Sequence, residues 1–222
     1  MSMNHQIDCH VLTMPTDSPE WSRELRTDLD GEPVNQFWIE GIPGKLGAAR
    51  AAGYQQGSAP FLSYADPDDR VTPGIYTQLL DLLLAHPNAP FAWAGEQVVN
   101  EALEPIMPAN TWSGYHPASH KKRANHVHGV MLYRRSLVEP QLEKLMHCGI
   151  PAEHMLSMAI AQPWEGRPRE CWPVHLPLVG RLWRWHGQNY HRRCRPQDVD
   201  NMAQLLGFKS FMELVYGTRN QH

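Results

Sequence analysis

The first hundred residues alternate between two patterns of apolar and polar positions. Four segments have the apolar pattern of strands, and the segments between them have apolar residues at helical spacing. The predicted strands are residues 7–12, 34–39, 61–65 and 91–99, and the predicted helices are residues 18–29, 45–54 and 75–85. This β-α-β-α-β-α-β order is typical of a doubly wound α/β sheet with parallel strands.

The pattern becomes less regular after residue 100. Three prolines between residues 101 and 120 predict a long loop. The strands expected after it are residues 126–133, 172–175 and 178–185, and the helices are residues 136–148, 151–160 and two short ones within 196–216. We therefore predict one main domain, residues 1–195, followed by a small helical appendage, residues 196–222.

Composition narrows the class of protein. The chain has 222 residues, 42% of them hydrophobic, and its net charge of -3 does not indicate binding to nucleic acid through bulk positive charge. No apolar run approaches the ~18 residues needed to span a bilayer, and the N-terminus lacks the pattern of a signal peptide. Four widely spaced cysteines without a CxxC pair favour reduced thiols. We expect a cytoplasmic protein with no transmembrane segment.

One stretch carries the densest candidate chemistry, PFLSYADPDDRVTP at residues 60–73. A buried strand runs directly into Asp66, Asp68 and Asp69 there. Carboxylates aimed at one point repel each other unless a cation lies between them, and a hard divalent ion shared with phosphate oxygens meets that need. Open α/β sheets bind ligands at the carboxyl ends of their strands. The stretch therefore predicts a metal–diphosphate site, with an acidic turn in which Asp69 caps the next helix as the alternative.

Several segments together resemble the family-2 glycosyltransferases of the GT-A fold. They follow the order of that family over most of residues 7–195: the opening strand to Pro15, the acid Glu40, the helix motif around Arg50, the DxDD stretch, and the segments 128–135, 151–156 and 182–187. The departures are Ala51 in place of an asparagine, His154 in place of an acid, and a shortened first half.

The resemblance implies a fold and a reaction. The fold would be a GT-A-like doubly wound mixed sheet flanked by helices, with a nucleotide-sugar-binding half, residues 1–100, and an acceptor half, residues 101–195. The reaction would move a sugar from a nucleoside-diphosphate donor to an acceptor hydroxyl with the help of Mn²⁺ or Mg²⁺, which neutralises the leaving diphosphate.

The resemblance also assigns roles on the donor side. Asp68 would bind the metal directly, Asp66 would contact the metal or the ribose, and His186 would complete the metal shell. The remaining donor-binding residues would be Pro15, Glu40, Arg50 and Arg184, the two arginines because a guanidinium can fork onto phosphate oxygens. From the residues alone, Arg50 is either a solvated charge or a partner of phosphate or carboxylate, and His186 and Glu40 have structural alternatives.

The acceptor side remains more open. The catalytic base would be Glu153 or His154, since both stand where the family carries a Glu-Asp pair. The acceptor would be a saccharide, lipid-linked or protein hydroxyl. A hydroxylated DNA base is the alternative, favoured by the basic cluster at residues 120–123 and the Arg/Trp/His segment 181–195. A degenerate protein that binds a nucleotide without catalysis is a third hypothesis.

Overall fold

A computed structural model describes residues 5–111, 114–187 and 189–217, and within them a single sheet of seven strands flanked by helices. The strands are β1 (Ile7–Thr13), β2 (Val34–Glu40), β3 (Phe61–Ala65), β4 (Arg70–Val71), β5 (Phe91–Val99), β6 (Val130–Arg134) and β7 (Val174–Arg184). The α-helices are α1 (Pro19–Asp30), α2 (Leu46–Tyr54), α3 (Ile75–Ala85), α4 (Pro117–Lys122), α5 (Arg135–Val138), α6 (Leu142–His147), α7 (Ala152–Ala161), α8 (Pro196–Leu205) and α9 (Phe211–Tyr216).

The sheet is mixed, as the resemblance implies. Its strand order is β2-β1-β3-β6-β5-β7-β4. Strands β1, β2 and β3 are parallel, β6 is antiparallel to both β3 and β5, and β7 is parallel to β5. Consequently β1, β3, β5 and β7 all end at the same edge of the sheet. The four strands predicted in the first hundred residues all run in the same direction, as predicted, and the sheet is mixed because β6 inserts between β3 and β5 in the opposite direction.

Two apolar cores lie on the two faces of the sheet. Helices α1 and α3 cover one face, and α2, α6, α7 and the C-terminal helices α8 and α9 cover the other. The small residues predicted to allow close approach do so in α2. A Cβ added at Gly47 would collide with backbone carbonyl oxygens at the end of α6, so only glycine permits this packing. The close approach fixes α2 against the sheet and thereby places its one arginine, Arg50.

One glycine and one proline explain two differences between the predicted and the observed element boundaries. The strand predicted at residues 126–133 begins only at Val130, because Gly129 has a φ of 112° and interrupts the extended backbone. The helix predicted at residues 136–148 is three short pieces, since Pro140 occupies the 3₁₀ turn between α5 and α6. Helix α4 begins inside the stretch 101–120 that was predicted as a loop and ends two residues beyond it.

The closing strand differs from its prediction as well. Residues 172–175 and 178–185 were expected as two strands, but β7 is continuous through Pro177. The register against β5 shifts at Gly95, where Ala94 pairs with Leu176 and Gly95 with Val179. A bulge of this kind accommodates a proline that has no N–H for the ladder. No helix in the described part of the chain is long and apolar enough to cross a bilayer.

Candidate functional site

The three aspartates after β3 take three different partners. A tight turn, in which the Asp69 backbone N–H donates to the Asp66 carbonyl oxygen at 3.0 Å, separates their side chains. Asp66 points toward α2, Asp68 toward the end of β7, and Asp69 inward beneath β7. The helix-cap interpretation of Asp69 is wrong. Its carboxylate is buried and accepts from the backbone N–H of Arg184 at 3.1 Å, whereas α3 starts after Gly74.

Asp68 and His186 form a direct pair. His186 Nε2 lies 2.7 Å from Asp68 Oδ2, and the two side chains are 10% and 28% exposed. The short strand β4 makes this contact possible, because it pairs antiparallel with β7 through Arg70–Leu182 and Val71–Arg181 and so carries the aspartate loop across the sheet edge. The predicted metal residues therefore come together, although 118 positions separate them in sequence.

The pair suits a cation that arrives with its substrate better than a permanent metal centre. Among the described residues, no group of three or more His, Cys, Asp or Glu side chains could hold a metal ion alone. One carboxylate oxygen and one imidazole nitrogen supply only part of a coordination shell. Mg²⁺-like ions keep several waters and take other oxygens from substrate phosphates, so two protein ligands are sufficient for such a site.

Arg50 connects the two halves of the site. Its side chain is 1% exposed, and it donates to Asp66 Oδ1 at 2.5 Å, to Glu153 Oε1 at 2.8 Å and to the backbone carbonyl of His10 at 3.3 Å. The solvated alternative is therefore wrong. The guanidinium bridges the acid that follows β3 and an acid in the first turn of α7, with the ring of Tyr64 4.6 Å from its centre.

The same contacts keep Asp66 ionised. Burial acts to raise the pKa of this carboxyl, but the guanidinium groups of Arg50 and Arg181 hold it below its ordinary value. A neighbouring acid, Asp17, responds differently. Its pKa is raised by partial burial and by the negative charges of Asp68 and Asp66, although the backbone N–H of Met14 donates to it at 2.6 Å. Asp17 was not predicted from the sequence, where it resembles part of the turn before α1.

Arg181 forms a second buried bridge under the site. Its Nη2 lies 2.6 Å from Glu96 Oε2 and 2.7 Å from His128 Nδ1, and its Nη1 lies 3.4 Å from Asp69 and 4.0 Å from Asp66. Glu96 stays ionised, since His128 and Arg181 lower its pKa against the opposing effect of burial. The sequence does contain a signal for this contact. Glu96 is the single acid in the apolar strand FAWAGEQVV, and a buried acid is almost always paired with a positive charge.

Arg184 belongs to the wall behind the metal pair. Its guanidinium is buried, donates to Glu24 Oε2 at 2.8 Å and stacks over Trp21 at 4.6 Å. The same tryptophan ring lies 5.1 Å from the ring of His186. The predicted contact of Arg184 with phosphate stays a prediction.

The remaining donor residues lie at neighbouring strand ends. Pro15 follows β1 and is exposed, and Glu40 is the exposed last residue of β2. Glu40 is in register with Thr13 of β1, and the next residue, Gly41, donates from its backbone to the Thr13 carbonyl at 2.8 Å. Both residues therefore flank the edge at which Asp66 and Asp68 lie, while their contacts with a donor remain a prediction.

The two candidate bases have different surroundings. Glu153 lies in the first turn of α7 and points at Arg50. The imidazole of His154 lies within hydrogen-bond distance of the backbone carbonyl of His120, with Nε2 at 2.7 Å from that oxygen, and burial lowers its pKa to about 4. A carbonyl oxygen only accepts, so Nε2 carries the proton. His154 is thus neutral near pH 7 and holds its proton in a structural bond, which leaves Glu153 as the acid facing the site.

Two residues of the basic cluster at 120–123 are paired inside the protein. His120 is fully buried and bonds Tyr115 and Ser157. Lys121 pairs with Glu165 at 2.9 Å. The ammonium of Lys122 lies over the ring of Tyr216 at 5.2 Å. His120 and Lys121 are therefore engaged within the protein, whereas exposed Lys122 keeps its charge, since a ring contact does not neutralise it.

One cleft lies away from this chemistry. Its volume is about 460 Å³, and it opens at the opposite edge of the sheet, between the beginnings of β1 and β2 and the loop before β3. Its one buried acid, Asp8, is already bound by Arg135, Asn35 and the backbone N–H of Ala59. We therefore place the functional site at the carboxyl edge, where the acids, the arginines and the paired histidine converge.

Solved structures share this fold, whereas no protein-family model and no curated protein sequence matches the chain. S. aureus TarS 1-349 in complex with UDP-GlcNAc matches with a TM-score of 0.65 and 11% identity, over 90% of this chain and 65% of that one. Glucosyl-3-phosphoglycerate synthase from Mycobacterium tuberculosis, in complex with Mn²⁺, uridine-diphosphate-glucose and phosphoglyceric acid, matches with a TM-score of 0.56 and 11% identity, over 92% and 81% of the two chains.

These similarities establish the architecture. Both proteins are GT-A glycosyltransferases, so the GT-A-like α/β fold expected from the sequence motifs is confirmed. The chain spans 65% of TarS 1-349, slightly less than two thirds of that length. At this identity the similarity concerns the fold alone, and the ligands bound in those structures belong to those proteins.

Proposed function

We propose that this protein is a metal-dependent glycosyltransferase that moves a sugar from a nucleoside-diphosphate donor to an acceptor hydroxyl. The observation that carries the proposal is the Asp68–His186 pair at the carboxyl edge of the sheet, adjacent to an ionised Asp66. The structural neighbours support it, since one is described in complex with UDP-GlcNAc and another with Mn²⁺ and UDP-glucose.

The donor would bind across the ends of β1, β2 and β3. Asp68 and His186 would hold Mn²⁺ or Mg²⁺, which when bound supplies positive charge to the leaving diphosphate. Asp66, fixed by Arg50, would orient toward the donor ribose or the metal. Glu40 and Pro15 would line the nucleobase side. Trp21 packs against His186 and limits the positions that its imidazole can adopt.

Glu153 would act as the base. It accepts from Arg50 through Oε1, and no described hydrogen bond uses Oε2, so that oxygen can take the proton of the acceptor hydroxyl. The bond from the donor sugar carbon to the diphosphate oxygen would break, with the electron pair leaving on the diphosphate, while the acceptor oxygen forms the new bond. Arg50 would thus hold the base and the donor-side acid at a fixed separation.

Hydrolysis of a nucleotide sugar in the absence of acceptor tests the metal assignment. We expect slow turnover that requires Mn²⁺ or Mg²⁺, and we expect Asp68→Ala to abolish it with an unchanged circular dichroism spectrum. Asp81→Ala is the matched control, because this acid is exposed on α3. Unchanged turnover in Asp68→Ala would overturn the assignment. A thermal-shift screen of nucleoside diphosphates with and without Mn²⁺ identifies the donor, because ligands that bind the folded state raise its melting temperature.

The choice of base is tested by transfer to an added acceptor. Glu153→Gln should lower transfer by a factor of about 100 or more, the usual contribution of a general base. His154→Gln should retain most of it, because the histidine acts within a structural bond. The reverse order would identify His154 as the base. Nucleotide binding without any turnover would instead favour the degenerate, binding-only hypothesis.

A further inference from the structure

A cluster of flat side chains and arginines lies directly beyond the candidate metal pair. We name Trp183, Trp185, His191, Arg192 and Arg193 the aromatic–arginine surface. The rings of Trp183 and Trp185 are 5.6 Å apart, and the ring of His191 lies 5.0 Å and 5.2 Å from them. Trp185 is 40% exposed. Tryptophan has the largest apolar side chain and is usually mostly buried, so this exposure indicates a surface for contact with a ligand.

This surface is continuous with the site already described. Trp185 immediately precedes His186, and alternation along β7 places Arg181 and Trp183 on one face. The ring of His128, which bonds Arg181, lies 6.2 Å from that of Trp183. Partial burial and the positive charges of His128 and Arg192 lower the pKa of His191, and the negative charges of Asp68 and Glu96 oppose that shift.

The arginines of this surface differ from those of the site. Arg50 and Arg181 are buried and paired with carboxylates. In the described part of the chain, by contrast, neither Arg192 nor Arg193 has a salt bridge, and both are exposed. They lie instead over aromatic rings, Arg192 5.9 Å from the ring of Trp185 and Arg193 5.8 Å from that of Tyr190. Their charge is therefore available to an anionic ligand.

We propose that the aromatic–arginine surface binds a single nucleic-acid strand that carries the acceptor hydroxyl. The inference rests on the proposed function and names its acceptor. Bases stack on aromatic side chains whatever their sequence, and unpaired arginines neutralise the phosphates between them. A neutral saccharide chain would use the tryptophans but would leave the two unpaired arginines without a partner. The negative total charge of the protein is compatible with this role, because the positive charge is local.

Binding of a fluorescent, unmodified single-stranded DNA oligonucleotide tests the proposal without donor or metal. Anisotropy titrations across a salt series should show affinity that falls as salt rises. Arg192→Gln/Arg193→Gln should flatten the slope of log K against log salt by about 1.4, since each single-strand phosphate contact contributes roughly 0.7. Trp185→Ala should weaken binding about tenfold through lost stacking. Circular dichroism and the melting temperature verify that each variant is folded.

The matched control removes the same charge elsewhere. Arg167 and Arg169 also lie over tryptophan rings, at 4.8 Å from Trp164 and 5.6 Å from Trp172. Arg167→Gln/Arg169→Gln should leave both the affinity and the salt slope as in the wild type. Equal losses in the two double variants would overturn the proposal, because they would show a response to total charge alone.

Two further results separate this proposal from the function on which it rests. If the wild-type protein hydrolyses the donor but does not bind DNA at low salt, the proposal of a nucleic-acid acceptor is overturned and the proposed glycosyltransferase function is retained. Binding of a neutral glucan oligosaccharide that Trp185→Ala abolishes, without DNA binding, would also overturn it in favour of a saccharide acceptor. DNA binding that depends on the surface residues, without donor hydrolysis, would support nucleic-acid binding by the aromatic–arginine surface and overturn the proposed glycosyltransferase function.

Discussion

Removing the guanidinium of Arg50 should destabilise the whole domain. Arg50→Met keeps an unbranched, buried side chain but leaves Glu153 and Asp66 without the cation they share at 2.8 Å and 2.5 Å. Breaking a buried ion pair by removing one partner costs about 3–5 kcal/mol. Glu153 is 18% exposed and Asp66 39%, so water screens part of the loss at Asp66 and we expect the lower end, about 3 kcal/mol. For a chain of this size that corresponds to a melting temperature lower by about 6–12 °C.

A double-mutant cycle isolates the ion pair from other effects of the substitution. Urea unfolding followed by circular dichroism gives the free energy of unfolding for the wild type, Arg50→Met, Glu153→Gln and the double variant. Arg50→Met leaves the Glu153 carboxylate without its cation, and Glu153→Gln removes that negative charge. The double variant should therefore be more stable than the sum of the two single effects predicts. We expect a coupling energy of about 1–2 kcal/mol between the two positions.

The refuting result is additivity. A coupling energy below about 0.5 kcal/mol would show that the two side chains do not interact energetically, and the bridge between the halves would then have no stabilising role. Arg23→Met is the control for loss of an arginine as such. This residue is exposed on α1, and its substitution should change stability by less than about 0.5 kcal/mol.

Three other predictions concern the rest of the molecule. The pKa of His154 is about 4 in the folded state and 6.5 in the unfolded state, so the unfolded chain takes up the proton first as the pH falls. The folded protein therefore loses stability between pH 6.5 and pH 4. In urea titrations at several pH values, His154→Gln should make the loss of unfolding free energy between pH 7 and pH 5 about 1–2 kcal/mol smaller than in the wild type. Gly47→Ala should cost about 2 kcal/mol or more through overlap with backbone oxygens, while Gly166→Ala, which has open space, should be neutral in the same assay. Exposed Cys194 should react with a thiol reagent at pH 8, whereas Cys9, whose pKa burial raises to about 12, should react only after unfolding.

Local patterns predicted the elements that carry the site. The strand at residues 61–65 and the helix at 75–85 were predicted at their observed bounds, because apolar repeats and flanking prolines determine them locally. The Asp68–His186 contact was expected only from the order of motifs in a known family. No local rule predicts that β4 pairs with β7, since that contact depends on how the chain crosses the sheet edge.

The errors have a common physical origin. The sequence patterns offered Asp69 as a helix cap and Arg50 as a solvated charge or an anion partner, and they named no protein partner for either residue. In the structure Asp69 and Glu96 both lie against Arg181 in a buried network, and such partners are far apart in sequence. The role of His154 as a possible base stays a prediction, although burial lowers its pKa to about 4 and its imidazole is bonded to the carbonyl of His120. Pairing between distant elements determines these roles.

The distance in sequence between Asp68 and His186 determines when the pair can form during synthesis of the chain. A ribosome delivers the aspartate early, but its histidine partner follows 118 residues later, after β7 has been made. A nascent or truncated chain that ends before β7 has neither the closing strand of the sheet nor the second half of the metal pair. Under the proposed function, a metal-linked donor would therefore find both of its protein ligands only after the step that completes the sheet.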